Sequence, residues 1–556
     1  MADDSWKNKM KLISSFLNRN IFIYIFFLLY LLVGLFIYKD YSISFDEEVH
    51  RENGFISLKY ILDFFSISFD FSNVTTLISG EIPDIQNDWR QTYGVAFDLP
   101  LAAIEILLGF NDTRDVYLFR HLVTFLIFLS STVCFFYLLK LNFSNRIFCI
   151  LGVLMLILSP RIFSQSFYNS RDITFLSFII FSTFFSLKAL NTNKIKYIIL
   201  AGFFAALSTN TRVLGCYIPF LTIFFYFLNY DGKNLLKETS KFCFLYFLFF
   251  LSFLYLSWPY LWESPFINFL NALVEFSRYP FNPYILYLGD YIKANFIPWH
   301  YFFVWFFITT PIIFLILIIA GLYFLLKKFL NNLFNINQNN FYLLWKNSVE
   351  MNELYIFFVF FIPLFFVIFL NSTLYTGWRH LYFIYPPLVF LGISGLSKLI
   401  SMKNKALNYS LVSCLIIQIF SLAFFLIKSH PVQTVYFNAI STKIVKDSFF
   451  YDYWGLGNKV TIEKLLSNKN LDLPINISAS SFTDLNKTKL IMDKKDRNKF
   501  IYVGIDKKKS DYIFTNYYYI TPPKTDNKYL VPKNYESIIK LKIGGLVINE
   551  VFKKKQ

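Results

Sequence analysis

The string SFDEEVHRENGF places Asp46, Glu47 and Glu48 directly after a long apolar run, with His50 four residues beyond Asp46 and so on the same face of any helix formed there. A carboxylate held in that position could act as a general base. The same residues also spell a capping box, with Ser44 as N-cap and Glu47 at N3, where acidic groups suit the helix dipole. Their partners decide between the two. Arg120 and His121 open another apolar run, Arg161, Asn169, Arg171 and Asp172 lie in SPRIFSQSFYNSRD, Trp299 precedes His300, and Trp378, Arg379 and His380 precede a further run. Arginine offers a planar donor fork matched to phosphate oxygens, and histidine adds a donor or a proton. Each arginine alone could be an anchor that snorkels to headgroups. Carboxylates and Arg/His pairs converging on one surface suit transfer of a group from a phosphate-bearing donor.

The elements that must position these groups are apolar helices. Hydrophobic residues make up 56% of the 556-residue chain and charged residues only 16%, against roughly 25% charged in soluble domains. Lipid must therefore solvate most of the fold. The 72 Phe and 38 Tyr accompany abundant Lys, Asn and Ile, so an aromatic stripe by itself says little about ligands. Runs long enough to cross a bilayer fall near 21–38, 116–139, 146–159, 173–190, 195–209, 213–229, 242–258, 302–326, 354–371, 381–399 and 407–427. The expected fold is a mainly α polytopic membrane protein of about eleven transmembrane helices, with amphipathic helices on the outer face. One of these is WESPFINFLNALVEFSRYP, with Phe266, Phe269, Leu273 and Phe276 on one face.

Basic residues in short loops mark the cytoplasmic side. Lys7, Lys9, Lys11 and Arg19, then Lys140 with Arg146, Lys188 with Lys194 and Lys196, Lys233 with Lys237 and Lys241, Lys327 with Lys328, and Lys398 with Lys403 alternate with the motif-bearing loops. Residues 40–115, with fourteen Asp/Glu against four Lys/Arg, form the first extracytoplasmic loop. The net charge of +17 is then a topology signal that also favours anionic lipid, with no call for nucleic acid. All five cysteines fall inside the spans, and without a CxxC or Cys/His cluster neither a disulfide framework nor a structural zinc site is expected. A membrane domain, 1–428, precedes an extracytoplasmic α/β domain, 429–556. In the latter, FIYVGI, YIFTNYYYI and LVINEVF read as strands between turn formers such as Pro522, Pro523 and Pro532.

The order of FDEEVH, TYGVAFDL, YLFRHLV, LSPRIFSQSFYNSRDITF, TRVLG, WPYLWESPFINF, IPWHYFFVWFFITTPI, LYTGWRHLYFIYP, HPVQTVYFN and YDYWGLGNK resembles integral-membrane glycosyltransferases of the GT-C superfamily, in the bacterial branch related to protein O-mannosyltransferases and lipid A aminoarabinose transferases. The likeness runs from about residue 40 to 460. It implies a polyprenyl-phosphate sugar donor, a hexosyl or pentosyl group transferred with inversion, and a lipid, glycan or protein hydroxyl as acceptor. Asp46 and Glu47 correspond to the family's acidic pair, with Asp46 deprotonating or orienting the acceptor. Asn169 to Asp172 correspond to its N-x-K-D segment, with Arg171 in place of lysine and Asp172 as a further catalytic carboxylate. Arg379 and His380, in a string where Thr376 replaces an aspartate, would hold the donor phosphate together with Arg171, Arg120 and His121. His50, Tyr93, Asn169, His300 and Trp378 complete the implied pocket.

No residue is assigned to a metal: the outer carboxylates could bind a divalent ion, but the cationic side chains would make one unnecessary. A nucleotide sugar is disfavoured because no glycine-rich phosphate loop or DxD string is present. The resemblance implies a bacterial inner membrane with site and C-terminal domain in the periplasm. The competing readings are a transporter or flippase, against which the near absence of ionisable groups at span centres argues, and a noncatalytic component of envelope glycan assembly.

Overall fold

The computed structural model describes residues 20–78, 80–229, 235–277, 279–334, 344–402, 404–439, 445, 447–469 and 471–555. Lys7, Lys9, Lys11, Arg19, Lys233 and Lys403, on which part of the orientation reading rests, lie outside the described residues.

Among the described residues, eight helices are long and apolar enough to cross a membrane: Asn20–Ile37, Thr113–Leu139, Asp172–Thr192, Lys237–Ser257, Ile312–Phe334, Ser348–Phe369, Arg379–Ser401 and Lys405–Lys428. The expected count of eleven is not reached by these helices. The segment near 146–159 is only the first half of a pair, Arg146–Ile157 and Pro160–Tyr168, bent by 69°. Pro160 causes the break, since it cannot donate backward and drives Ser159 out of helical geometry. The segments near 195–209 and 213–229 form shorter helices. The segment expected at 302–326 is interrupted at Thr310–Pro311, leaving Tyr301–Thr309 apart from Ile312–Phe334.

Asp172–Thr192 is the axis of the bundle, buried along most of its length, whereas Asn20–Ile37 and Lys405–Lys428 turn nearly all their side chains outward. Lipid is as apolar as these side chains, so helix contacts depend on close packing and buried hydrogen bonds. Gly321 and Gly395 let two spans touch backbone to backbone: a Cβ on Gly321 would lie 1.9 Å from the Leu391 carbonyl oxygen. Hydroxyl pairs such as Thr222 with Tyr355, at 2.8 Å, tie neighbouring helices.

Two helices of the segment after the first span, Glu47–Phe64 and Asp98–Leu108, are locked to the bundle by buried charges. Glu105 accepts from Arg51 and from Arg120, each at 2.9 Å, and Arg120 also pairs with Asp98. Burial pushes the Asp98 carboxyl up to about 6 even beside Arg120.

Helix Pro265–Ser277 departs from the expected single apolar face. Leu273 and Phe276 line the interior cavity described below, while Phe266 is 76% exposed, so the helix is apolar on two sides. The C-terminal segment forms a five-stranded sheet in the order β4-β3-β5-β7-β6, from β3 (Ile475–Ala479), β4 (Phe500–Tyr502), β5 (Tyr512–Thr515), β6 (Tyr535–Ile543) and β7 (Leu546–Lys554); a small hairpin, β1 (Tyr284–Tyr287) and β2 (Asp290–Lys293), precedes it in sequence. Strands β4, β3 and β5 are mutually parallel and β7 is antiparallel to β5 and β6. Arg497 pairs with Asp112 at 2.6 Å and Lys487 with Glu48 at 3.3 Å, which docks the sheet onto the segment that carries Asp46.

Candidate active site

Helix Glu47–Phe64 begins with Asp46 at its N-cap, two residues later than a capping box on Ser44 would place it. Glu47 does accept the Ser44 N–H, at 2.6 Å, and its other oxygen lies 2.9 Å from His121 Nε2. It is buried in this pair and does not line the cavity. Asp46 and His50, one turn apart, both do.

The cavity measures about 990 Å³. At one end stand Arg171, Arg212, Arg379 and His380, with Asp46, His50 and Tyr93. The other end is apolar, walled by Tyr217, Phe220 and Phe224 of helix Tyr217–Asn229 and by Ile362, Phe366 and Leu370 at the end of span Ser348–Phe369. An apolar pocket with few convergent polar groups is the usual form of a ligand site.

Asp172 opens the central span and sits just behind this surface. Asn169 fixes it from two sides: its amide oxygen accepts the Asp172 N–H at 3.0 Å, and its NH2 donates to Asp172 Oδ2 at 2.8 Å and to Gln165 at 2.6 Å. Asp172 in turn holds Arg212, and its Oδ2 is 3.3 Å from Arg379 Nη1. That same nitrogen reaches Asp46 at 3.1 Å, while Arg379 Nε donates to Thr376 at 2.6 Å. The guanidinium lies 4.5 Å over the Trp454 ring and 5.2 Å over Tyr375. Thr376 thus contacts the arginine through a neutral hydroxyl where an aspartate would have added charge.

Three arginines face two carboxylates here, which leaves one positive charge with the histidines neutral. Buried donors remain open: Arg171 Nη1 and Arg212 Nε have no hydrogen-bond partner. Buried guanidinium N–H groups without partners are costly, and two of them on arginines that line the same cavity suit an oxygen-rich anion. Arg171 packs over Tyr93 at 4.4 Å, and the Tyr93 and Tyr279 hydroxyls bond to each other beside it. Burial, reinforced by Arg171, holds the His50 imidazole well below its usual range. Among the described residues, no group of three His, Cys, Asp or Glu side chains is arranged to hold a metal ion.

Several expected site residues lie elsewhere. Arg120 is committed to Asp98 and Glu105, and His121 to Glu47. The ring of His300 bonds the Tyr287 hydroxyl at 2.7 Å, and Trp378 donates to Thr309 at 2.8 Å. Neither lines the cavity, nor does Asn169, which holds Asp172 behind the wall. Conversely Arg212, within TRVLG, was not singled out from the sequence, although an arginine closing an apolar run was a usable signal.

Two other strings acquire reasons. Gly94 of TYGVAFDL meets the end of helix Ile195–Thr211 so closely that a Cβ would lie 1.1 Å from the Asn210 carbonyl oxygen. Asn210 also accepts the Val95 N–H at 2.7 Å and donates to the Ser257 carbonyl at 2.8 Å. In YDYWGLG, Asp452 accepts the Leu456 and Gly457 N–H groups at 2.9 and 2.7 Å, and Gly455 takes a φ of +71°. This turn directs Tyr453 and Trp454 into the cavity.

Ten solved chains match the protein. One is the crystal structure of ArnT from Cupriavidus metallidurans bound to undecaprenyl phosphate, 12% identical, with 96% of this chain and 98% of that chain covered at a TM-score of 0.43. No curated protein matches. The family model for dolichyl-phosphate-mannose-protein mannosyltransferase matches residues 102–258, a stretch that contains Arg171, Asp172 and Arg212. That match, on a polytopic helical chain, supports a membrane glycosyltransferase of the GT-C superfamily.

Proposed function

We propose that this protein transfers a sugar from a polyprenyl-phosphate donor to an acceptor hydroxyl, with inversion, at the extracytoplasmic face of a bacterial inner membrane. The observation that carries the reading is one cavity whose lining joins Arg171, Arg212, Arg379 and Asp46 to an apolar arm between the helices Tyr217–Asn229 and Ser348–Phe369. A lipid phosphate needs both surfaces in that order. The prenyl chain lies along Phe220, Phe224 and Phe366, and the phosphate meets Arg171, Arg212 and Arg379.

Asp46, with its side chain 33% exposed, is the carboxylate open to an incoming hydroxyl. It takes the acceptor proton as the acceptor oxygen bonds to the anomeric carbon; the bond from that carbon to the phosphate oxygen breaks, and polyprenyl phosphate leaves with the electron pair. Base assistance of this kind contributes about 10² to 10⁴ in rate. Arg379 stabilises the charge gathering on the phosphate, which is commonly the largest contribution in such sites. Asp172 holds Arg212 and Arg379 in place and takes no proton. The basic loops Lys140–Arg146 and Lys188–Lys196 lie at the opposite helix ends from the cavity, which supports an extracytoplasmic site by the positive-inside rule.

The test is release of free polyprenyl phosphate from a panel of polyprenyl-phosphate sugars by purified protein supplied with native membrane acceptors. Asp46→Asn should reduce sugar-selective release by at least about 100-fold while leaving the affinity for undecaprenyl phosphate within threefold. Absence of release from every donor by folded wild type would refute the transferase reading.

A further inference from the structure

The lipid arm and the arginines account for a donor and leave one wall of the cavity over: Phe45, Phe482 and Tyr518, on the side of Asp46 that the C-terminal segment closes. Two of these rings come from the sheet. In it β3 lies between β4 and β5 and runs parallel to both. The chain leaves β3 toward β4, but leaves β5 toward β6 and β7 on the other side. Adjacent parallel strands whose exits diverge leave a crevice at their carboxyl ends, where open α/β sheets take ligands. Phe482 belongs to the segment after β3 and Tyr518 to the segment after β5.

The two segments are joined, since the Phe482 N–H donates to the Tyr518 carbonyl at 2.7 Å, and their rings lie 6.1 Å apart. Phe45 stands 5.4 Å from Phe482 and is held by Lys487, which lies 4.4 Å over its ring and donates to its carbonyl at 3.1 Å. This crevice therefore faces the cavity next to the proposed base. Its chemistry is narrow. The C-terminal segment is rich in lysine, yet none of its described lysines lines the cavity, so the wall does not select an acidic partner. One mode of peptide binding adds a strand to a free sheet edge, and here the Phe482 N–H is already taken by the Tyr518 carbonyl. Lys487 takes one face of Phe45, and the cavity-lining rings of Phe482 and Tyr518 suit the C–H face of a neutral sugar ring.

Taking the transfer reading as given, we propose that Phe482 and Tyr518, together with Phe45, form a subsite for a neutral sugar of the acceptor, which is thus a glycan or glycolipid that presents one ring hydroxyl to Asp46. The C-terminal segment selects the acceptor, and the spans select the donor.

Full-length protein in lipid nanodiscs tests this with two probes: undecaprenyl phosphate for the donor arm, and methyl glycopyranosides of glucose, galactose and mannose for the subsite, read by saturation-transfer NMR. At least one pyranoside should bind wild type. Phe482→Ala should weaken it by about threefold to tenfold, the value of one aromatic contact, and Phe482→Tyr should restore it, while undecaprenyl phosphate affinity stays within twofold in both. Unchanged pyranoside affinity in Phe482→Ala overturns the proposal, as does an equal loss for both probes. A Ser/Thr-containing peptide that binds where no pyranoside does overturns it in favour of a protein acceptor. Failure of wild type to bind undecaprenyl phosphate refutes the donor reading instead, so the two failures are distinguishable.

Discussion

Replacing Arg379 by lysine keeps the charge and removes the geometry. The guanidinium makes three polar contacts, to Asp46 at 3.1 Å, Asp172 at 3.3 Å and Thr376 at 2.6 Å, with its centre 4.5 Å over the Trp454 ring. A lysine ammonium is a point charge on a flexible stem and cannot reproduce a planar fork set over an indole. If it keeps one carboxylate and loses the other two contacts, at the lower bound of about 1.5 kcal/mol for each charge-assisted hydrogen bond, the loss is about 3 kcal/mol. Expressed in the transition state, that corresponds to roughly a hundredfold in kcat/KM. Thr376→Ala removes only the Nε partner and should fall between, at about tenfold for one such bond. The assay is polyprenyl phosphate release, with thermal melting in detergent to show that the fold persists. A kcat/KM for Arg379→Lys within fivefold of wild type, with melting unchanged, would show that bulk positive charge and not the fork is what the site uses.

Two further outcomes concern stability. Gly94→Ala forces a methyl onto the Asn210 carbonyl and should lower yield and melting temperature sharply, at about 3 kcal/mol or more for a backbone clash with no flexible partner to move; a normal melt would show that the segment before Asp98 is free to shift. The second is a pH effect. Because the folded His50 pKa lies below the unfolded value near 6.5, the unfolded chain binds the extra proton on acidification. The contribution of His50 is thus fully present above pH 6.5 and is lost as pH falls below it, by up to about 1.4 kcal/mol per pH unit. Asp98, raised to about 6, works in the opposite sense over pH 4 to 6. Wild type and His50→Asn should therefore be compared across that range, and equal slopes in the two would contradict the assignment.

The arrangement of this site was partly legible in the chain. Asp46, Arg171, Arg379 and His380 line one cavity because each sits at the start of a helix, and His50, one turn into its helix, and Tyr93, in the loop before Asp98–Leu108, join them there. What the sequence does not encode locally is who pairs with whom. Arg120 resembles Arg379 as an arginine before histidine at the head of a span, yet the fold gives it Glu105 and Asp98 and closes it off. Arg212 shows the reverse, a side chain with no conspicuous neighbours that tertiary packing brings onto Asp172. Helix continuity failed at Pro160 and Pro311 for a plain reason: average apolarity over a window is blind to a missing N–H. The strands after residue 470 were readable, since turn formers bracket them, but the meeting of Phe482 and Tyr518 depends on strand order, which a one-dimensional pattern leaves open.

The bridge formed by Arg379 between Asp46 and Asp172 has a consequence for how the protein comes into being. Its three members are separated by more than a hundred residues each, and Trp454, which backs the arginine, follows the last span. A chain emerging N-terminus first carries its two carboxylates into the membrane long before the cation that joins them, and the indole arrives last. The bridge is therefore complete only once Arg379 has been made and its aromatic backing only once Trp454 has, so a chain truncated shortly before residue 379 keeps Arg171 and Arg212 but lacks the contact that joins Asp46 to Asp172.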